Sequence, residues 1–309
     1  MGSGKAEEIK EFLKKEASNV KNIIIDEHLT SKQIFNLEKL LGVKVIDRER
    51  LILDIFYSRA TTNEAKLQIQ LAEIRYDMPR VREIAKMTSG NERPGKGGSG
   101  EYTVDVKFRD LKRRMGFIKD KLKESKNKRD LYHQQRLKTG IPVVSLVGYT
   151  SSGKTTLFNL LTAEHKETAS SLFTTLSTTT RSVGIDEKTS VLLTDTVGFI
   201  SRLPTYMVDA FKSTLEESLS ADLILMLIDS SEDLQQEIKI KYYSCWGVLK
   251  ELKVDPAKVL VVLAKYDGAD DQKISEIAQG LELKDPIVIS SKTGYGMHKL
   301  KNAIKQYLE

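Results

Sequence analysis

The sequence predicts an α/β protein. A mainly parallel, doubly wound sheet fills the C-terminal half, preceded by a small α/β subdomain and an antiparallel helical hairpin. Three observations carry this. Apolar, β-branched runs alternate with helix-period segments from residue 143 onward, as in chains that build a parallel sheet flanked by helices. A shorter alternation of the same kind occupies residues 1–60. Between the two, narrow apolar stripes at helical spacing flank a glycine-rich connection, and such stripes are best buried against each other.

In chain order, residues 5–19 read as a helix, with Gly2-Ser3-Gly4-Lys5 as its lead-in. Ile23, Ile24 and Ile25 mark a strand over 22–26. The next helix takes Thr30 or Ser31 as N-cap and has Gly42 just past its end. Residues 43–46 form another strand, and a short helix follows to about residue 57. In the segment 61–138, Leu67, Leu71, Ile74, Met78, Val81 and Ala85 recur at three- and four-residue spacing. Leu111, Met115, Ile118 and Leu122 do the same. Pro79 is predicted to kink or interrupt the first of these helices. The connection 88–101, holding Gly90, Gly95, Gly97, Gly98 and Gly100, reads as an exposed tip. From the boundary at Thr139-Gly140-Ile141-Pro142, strands are predicted over 143–147, 190–195, 223–229, 258–263 and 286–290. Helices are predicted from Lys154 and over 207–219, 235–252, 274–281 and 297–307.

Composition excludes several classes. With 40% apolar and 30% charged residues, the chain is neither disordered nor collagen-like. It has no apolar run long enough to span a bilayer and no secretory leader pattern at its start. One cysteine, Cys245, can form no internal disulfide, which suits a reducing compartment and a cytoplasmic location. The His residues and Cys245 lack metal-ligand spacing. Charge is unevenly spread: residues 1–140 carry 31 Lys and Arg against 21 acidic residues, whereas 141–309 carry 18 against 22. Residues 102–140 alone hold 13 basic against five acidic, including Lys107, Arg109, Lys112, Arg113, Arg114, Lys119, Lys121, Lys123, Lys126, Lys128 and Arg129. Arg93 and Lys96 lie on the nearby connection. Such clustering attracts polyphosphates by counterion release; a solvated helix surface is the blander reading.

The chemistry concentrates after residue 143. Gly148-Tyr-Thr-Ser-Ser-Gly153-Lys154-Thr155 matches G-x-x-x-x-G-K-[ST] between a predicted strand and a predicted helix. There the backbone amides of Ser151, Ser152, Gly153 and Thr156 and the helix N-terminus can cradle phosphates, Lys154 can reach the β and γ groups, and the Thr155 hydroxyl can bind Mg²⁺. Asp195-Thr196-Val197-Gly198 ends an apolar strand; a carboxylate there can hold Mg²⁺ through water, and the Gly198 N–H can sense a γ-phosphate. Ser177-Thr178-Thr179-Thr180-Arg181 is read as a loop, with Thr180 offering a hydroxyl to the metal and Thr179 contacting the nucleotide. Ala264-Lys265-Tyr266-Asp267 ends another strand, and Asp267 can accept two hydrogen bonds from guanine, a donor pair adenine lacks. Ser290-Ser291-Lys292 ends the last strand, near where the guanine oxygen would lie. Each signal is weak alone; their order and spacing are not.

These residues resemble the TRAFAC GTPases, and among them the HflX family of ribosome-associated GTPases. The resemblance rests on Gly148 to Asn159, on Leu172-Phe173-Thr-Thr-Leu176 leading to Thr179-Thr180-Arg181, and on Asp195 to Ile200 followed by Leu203-Pro204. It extends to Asn36-Leu37-Glu38, Val45 to Arg48, Leu51 to Asp54, Ala65 to Gln68 and the tip ending Gly98-Ser-Gly100-Glu101. It implies GTP and GDP binding, Mg²⁺-dependent hydrolysis, and partnership with the large ribosomal subunit and its RNA in ribosome dissociation or recycling; the chain is read as a monomer. Three departures stand out. The chain opens at a point resembling the interior of the family's N-terminal subdomain. Ala264 replaces the Asn of N-K-x-D, so guanine binding should be weakened yet still selective through Asp267. Ser151 stands where potassium-using relatives carry Asn, so the resemblance does not extend to a claim of potassium activation.

Lys154, Thr180 and Gly198 are the residues expected to carry catalysis. Phe199 follows the D-x-x-G motif where Ras-like enzymes place a water-orienting Gln. It cannot bond a water, so intrinsic hydrolysis should be slow and partner-stimulated. Two other readings compete: an RNA-binding module in which nucleotide only sets conformation, and an ATP-using RNA remodeller.

Overall fold

Six consecutive residues, Val143–Gly148, alternate little in polarity and are buried almost throughout, which is what a central parallel strand requires. This strand, β3, lies between β5 (Ser190–Asp195) and β6 (Leu223–Asp229) in a six-stranded sheet. β7 (Val259–Ala264) and β8 (Ile287–Val288) extend it beyond β6. All of these pair in parallel. β4 (Thr179–Gly184) closes the opposite edge and pairs antiparallel with β5. Helices α6 (Lys154–Thr162), α8 (Gln235–Glu251), α9 (Asp271–Gly280) and α10 (Met297–Leu308) intervene, and residues 206–211 are helical (α7). A core of Leu146, Leu157, Phe158, Leu193, Leu225 and Ile304, among others, fills the space between sheet and helices.

This computed structural model describes all residues except 1, 18, 90–98, 165–177, 202–203, 205, 212–214 and 216–219. Most of the glycine-rich tip, Arg93, Lys96, Leu172 to Leu176, Ser177 and Leu203 therefore lie outside the described residues, as do the side chains of 84–89, 99–104 and 128–139.

The chain divides into two compact units. One comprises residues 1–58 and 66–124, the other residues 59–65 and 125–309. In the first unit, α1 (Ser3–Lys15), β1 (Asn22–Ile25), α2 (Ser31–Leu41) and β2 (Lys44–Asp47) form a small layer with a parallel strand pair. Thr30 caps α2 in a reciprocal capping box with Gln33, and Gly42 ends it in the left-handed conformation. α3 (Arg48–Arg59) leads to α4 (Asn63–Ser89) and α5 (Ser99–Thr139). The predicted stripes meet: Leu71, Ile74 and Ile118 are buried with Leu67, Met78, Leu111, Met115 and Leu122 around them. Arg82, late in α4, lies over the ring of Phe108, early in α5, so the two helices run antiparallel.

Three expectations need correction. Pro79 neither ends nor interrupts α4: Ile74 and Met78 are packed on α5, and Arg80 is anchored to buried Asp47 at 2.7 Å, so tertiary contacts hold the helix across the missing amide. The strand expected over 286–290 is only Ile287–Val288. Thr179, Thr180 and Arg181 begin strand β4 instead of lying on a loop, because β-branched threonines suit a pleated edge as well as a turn. Among the described residues, no helix is long and apolar enough to cross a membrane.

Candidate nucleotide site

The loop after β3 turns where only glycine fits. At Gly148 φ is +151°, and a β-carbon would stand 2.5 Å from the Leu227 carbonyl oxygen of β6. The chain then curls through Ser151 (φ +62°) and Gly153 (φ +97°) into α6. This aims the first-turn amides of α6 back over the strand end. Lys154 is buried, and its ammonium donates to the carbonyls of Gly148 (3.1 Å) and Tyr149 (2.8 Å). Burial lowers its pKa to about 8, against the opposing pull of Asp195 and then Cys245. Ser152 Oγ is buried without a hydrogen-bond partner among the described residues, a condition that an incoming ligand oxygen would relieve.

Thr155 donates its hydroxyl to Asp195 Oδ2 at 3.1 Å. The two come from the first turn of α6 and the end of β5, and both are buried. Beyond Asp195 the chain crosses the phosphate loop. Phe199 N–H donates to the Gly148 carbonyl (3.0 Å), and Thr150 N–H donates to the Phe199 carbonyl (2.8 Å). Together they form a parallel bridge between Tyr149 and Phe199. Gly198 permits the crossing: a β-carbon there would lie 3.0 Å from Thr150 Cα and 3.1 Å from Lys154 Nζ. The Tyr149 hydroxyl donates to Ser201 Oγ (3.1 Å) and accepts from Ser201 N–H (3.0 Å). Phe199 itself is buried.

Two strands away, the ends of β7 and β8 form a second cluster. Asp267 Oδ1 accepts from Ser290 Oγ at 2.6 Å, and Lys292 Nζ lies 3.8 Å from Asp267 Oδ2. Lys265, in the left-handed conformation (φ +62°), donates to Asp229 Oδ2 at 2.6 Å. Ala264 is buried, and its carbonyl accepts from Ser230 Oγ at 2.5 Å. Ser290 is fully buried and Ser291 half-buried.

The two clusters thus unite Gly148, Ser152, Lys154, Thr155, Asp195 and Gly198 at one strand end, and Asp267, Ser290 and Lys292 at another. Thr180 is not on the Asp195 face. It pairs with Thr194, with the two hydroxyls 2.9 Å apart, whereas Thr179 is the residue opposite Asp195. Since side chains alternate along a strand, Thr180 points to the other side of the sheet from Asp195. Three participants escape sequence reasoning. Asp229 ends an apolar strand, as Asp195 does, and that signal could have found it. Tyr149 and Thr150 act through a backbone bridge for which the sequence carries no signal.

A phosphate loop of this shape, with a carboxylate suited to guanine two strands away, defines the class: this is a P-loop GTPase. Comparison with known proteins narrows it. Residues 1–57, 59–136 and 143–265 match the families described as GTP-binding GTPase N-terminal, GTP-binding GTPase Middle Region and 50S ribosome-binding GTPase. The chain is similar to the GTPase HflX of Methanocaldococcus jannaschii, 41% identical over 100% of this chain and 75% of the relative. It is 40% identical to that of Thermococcus kodakarensis, over 95% of this chain and 68% of the relative. A crystal structure of a GTP-binding protein from Sulfolobus solfataricus in complex with GDP is 27% identical, with a TM-score of 0.52 over 100% of this chain and 85% of that one. The chain belongs to the HflX family of ribosome-associated GTPases, and its activity is GTP hydrolysis. That membership favours neither the non-hydrolysing RNA module nor the ATP-using remodeller.

Proposed function

We propose that this GTPase docks on the large ribosomal subunit and uses GTP hydrolysis in ribosome dissociation or recycling. The observation that carries the catalytic part is the buried meeting of Thr155 and Asp195 beside Lys154. A hydroxyl and a carboxylate converging in a buried spot fit Mg²⁺, which, when bound, supplies charge neutralisation on the phosphates. Lys154 and the loop amides bind and orient the triphosphate, and the Gly198 N–H lies where the γ-group can be sensed. Thr180 joins the metal set only if the start of β4 leaves β5. That release would make the segment a nucleotide-gated switch.

Asp267, held by Ser290, selects guanine. Ala264 offers no amide to the purine, so affinity is reduced without loss of selectivity. Phe199 supplies no group to position a water, which makes the unaided reaction slow and leaves the ribosome to complete the site. The match of residues 143–265 to a 50S ribosome-binding GTPase and the basic run along α5 support the partner; with shape and backbone contacts dominating RNA recognition, α5 would face ribosomal RNA.

Single-turnover hydrolysis of GTP and of ATP, each with and without purified large subunits, tests the proposal. GTP preference and stimulation by subunits are expected. Absence of stimulation removes the ribosomal role, and preference for ATP overturns the guanine assignment. Removal of residues 88–101 should weaken co-sedimentation with ribosomes at several salt concentrations.

A further inference from the structure

Phe117, near the middle of α5, is 62% exposed, with its ring in solvent. Its immediate predecessor is Gly116, also exposed and with nothing within 4 Å of where a β-carbon would stand. Glycine is the poorest helix former after proline, and among the described residues nothing would meet a β-carbon at this one. The pair therefore presents an aromatic face beside bare backbone, where another molecule can approach closely.

Helical geometry sets the surroundings. Residues three and four apart are neighbours on a helix surface, so Lys112, Arg113 and Lys119 border Gly116, while Arg113, Arg114 and Lys121 border Phe117. All five cations are exposed, with Asp120 as the acidic neighbour. Lys121 Nζ stands 6.0 Å from the ring centroid. Arg113 pairs with Asp110 and Lys121 with Glu124, yet at 84% and 47% side-chain exposure these two cations form only weak surface pairs that a polyanion can displace.

We propose that the Gly116–Phe117 surface is a stacking platform for an unpaired RNA nucleotide. A base face needs a flat aromatic partner, its phosphates need cations on both sides, and close approach needs a bare backbone. This surface supplies all three. A duplex hides its base faces, so the site would select a loop, bulge or single strand. The surrounding positive charge favours a polyanion over an apolar protein face. The inference rests on the ribosome reading only for where the RNA comes from.

The test uses the full chain, a fluorescein-labelled unstructured single-stranded RNA and a duplex of equal length, with anisotropy read across a salt series. Base stacking is worth a factor of roughly 5 to 150 per base. Phe117→Ala should weaken single-strand binding by at least about fivefold without changing the salt slope, Phe117→Trp should preserve it, and duplex binding should hardly move. Arg113→Gln should instead lower the slope by about 0.7, the share of one phosphate on a single strand. Phe117→Ala binding as the parent does would overturn the platform. So would equal binding of a polyglutamate peptide that is lost with the same substitution, since the occupant would then be an acidic protein. If the parent fails to co-sediment with large subunits, the ribosome reading falls and the oligonucleotide result still decides the platform.

Discussion

At Ala264 a methyl group stands where the resemblance leads one to expect an amide. The backbone there is intact, since the carbonyl is bonded by Ser230 and Asp267 is already oriented by Ser290. What is missing is the pair of side-chain hydrogen bonds themselves, worth about 1–3 kcal/mol. Ala264→Asn should therefore tighten GTP and GDP binding by roughly 5- to 150-fold, as read by nucleotide titration, with no change in fold. A weaker or unchanged affinity would show that the pocket has closed around the methyl group. Lys154 yields a second expectation. Its pKa is lowered to about 8 by burial from a usual value of 10.5. The unfolded chain therefore binds more protons than the folded one between these values, and stability gains from this group as pH rises through that window. Nucleotide binding has the opposite sign, because phosphates need the charged ammonium. Affinity for GDP should fall above about pH 8, with proton uptake on binding detectable by calorimetry in buffers of different ionisation enthalpy. Lys154→Met should abolish that uptake.

Elements in this chain are held by a few buried polar groups as well as by their apolar faces. Asp47, at the end of β2, is fully buried. It accepts hydrogen bonds from Tyr76 Oη (2.9 Å), Arg80 Nη2 (2.7 Å) and the Arg50 amide (2.9 Å). Those contacts tie α4 to the small α/β layer, and burial beside Asp47 pushes the Tyr76 hydroxyl pKa up. Removing one partner from such a cluster strands a charge, which costs about 3–5 kcal/mol. Arg80→Met should lower the melting temperature of the first unit markedly, whereas Arg113→Gln on the exposed face of α5 should leave it within error. A differential scanning trace of each variant decides this.

Legibility also divides by element. The strands β3, β5, β6 and β7 could be read from their apolar runs, and the hairpin from its stripes, because burial imposes periodicity directly on sequence. β4 was not readable: its threonines serve a strand and a loop equally, and only pairing with β5 decides between them. The site showed the same split. That Lys154, Thr155 and Asp195 meet, and that Asp267 meets Ser290, was legible from the order of motifs at strand ends and a helix start. The Tyr149–Phe199 bridge was not, because it is made of backbone groups that every residue carries.

At the scale of the whole molecule, the candidate nucleotide site falls in the unit of residues 59–65 and 125–309, and most of the basic run of α5 falls in the unit of residues 1–58 and 66–124. α5 is 41 residues long, and the division between the units falls within it. Deletion of the tip and substitution at Phe117 should affect partner binding while leaving unstimulated GTP turnover unchanged.

Cys245 offers a way to watch the nucleotide loop without attaching anything to it beforehand. It is the single thiol of the chain, fully buried on α8, with its pKa pushed up to about 12 by that burial and eased by Lys154 and the Tyr149 backbone. A small alkylating reagent is expected to reach it when α8 and the loop part company, so its labelling rate would be a clock for that breathing. GDP or GTP should slow the clock in proportion to occupancy. A rate indifferent to nucleotide would mean that the thiol is uncovered by some other excursion of the chain.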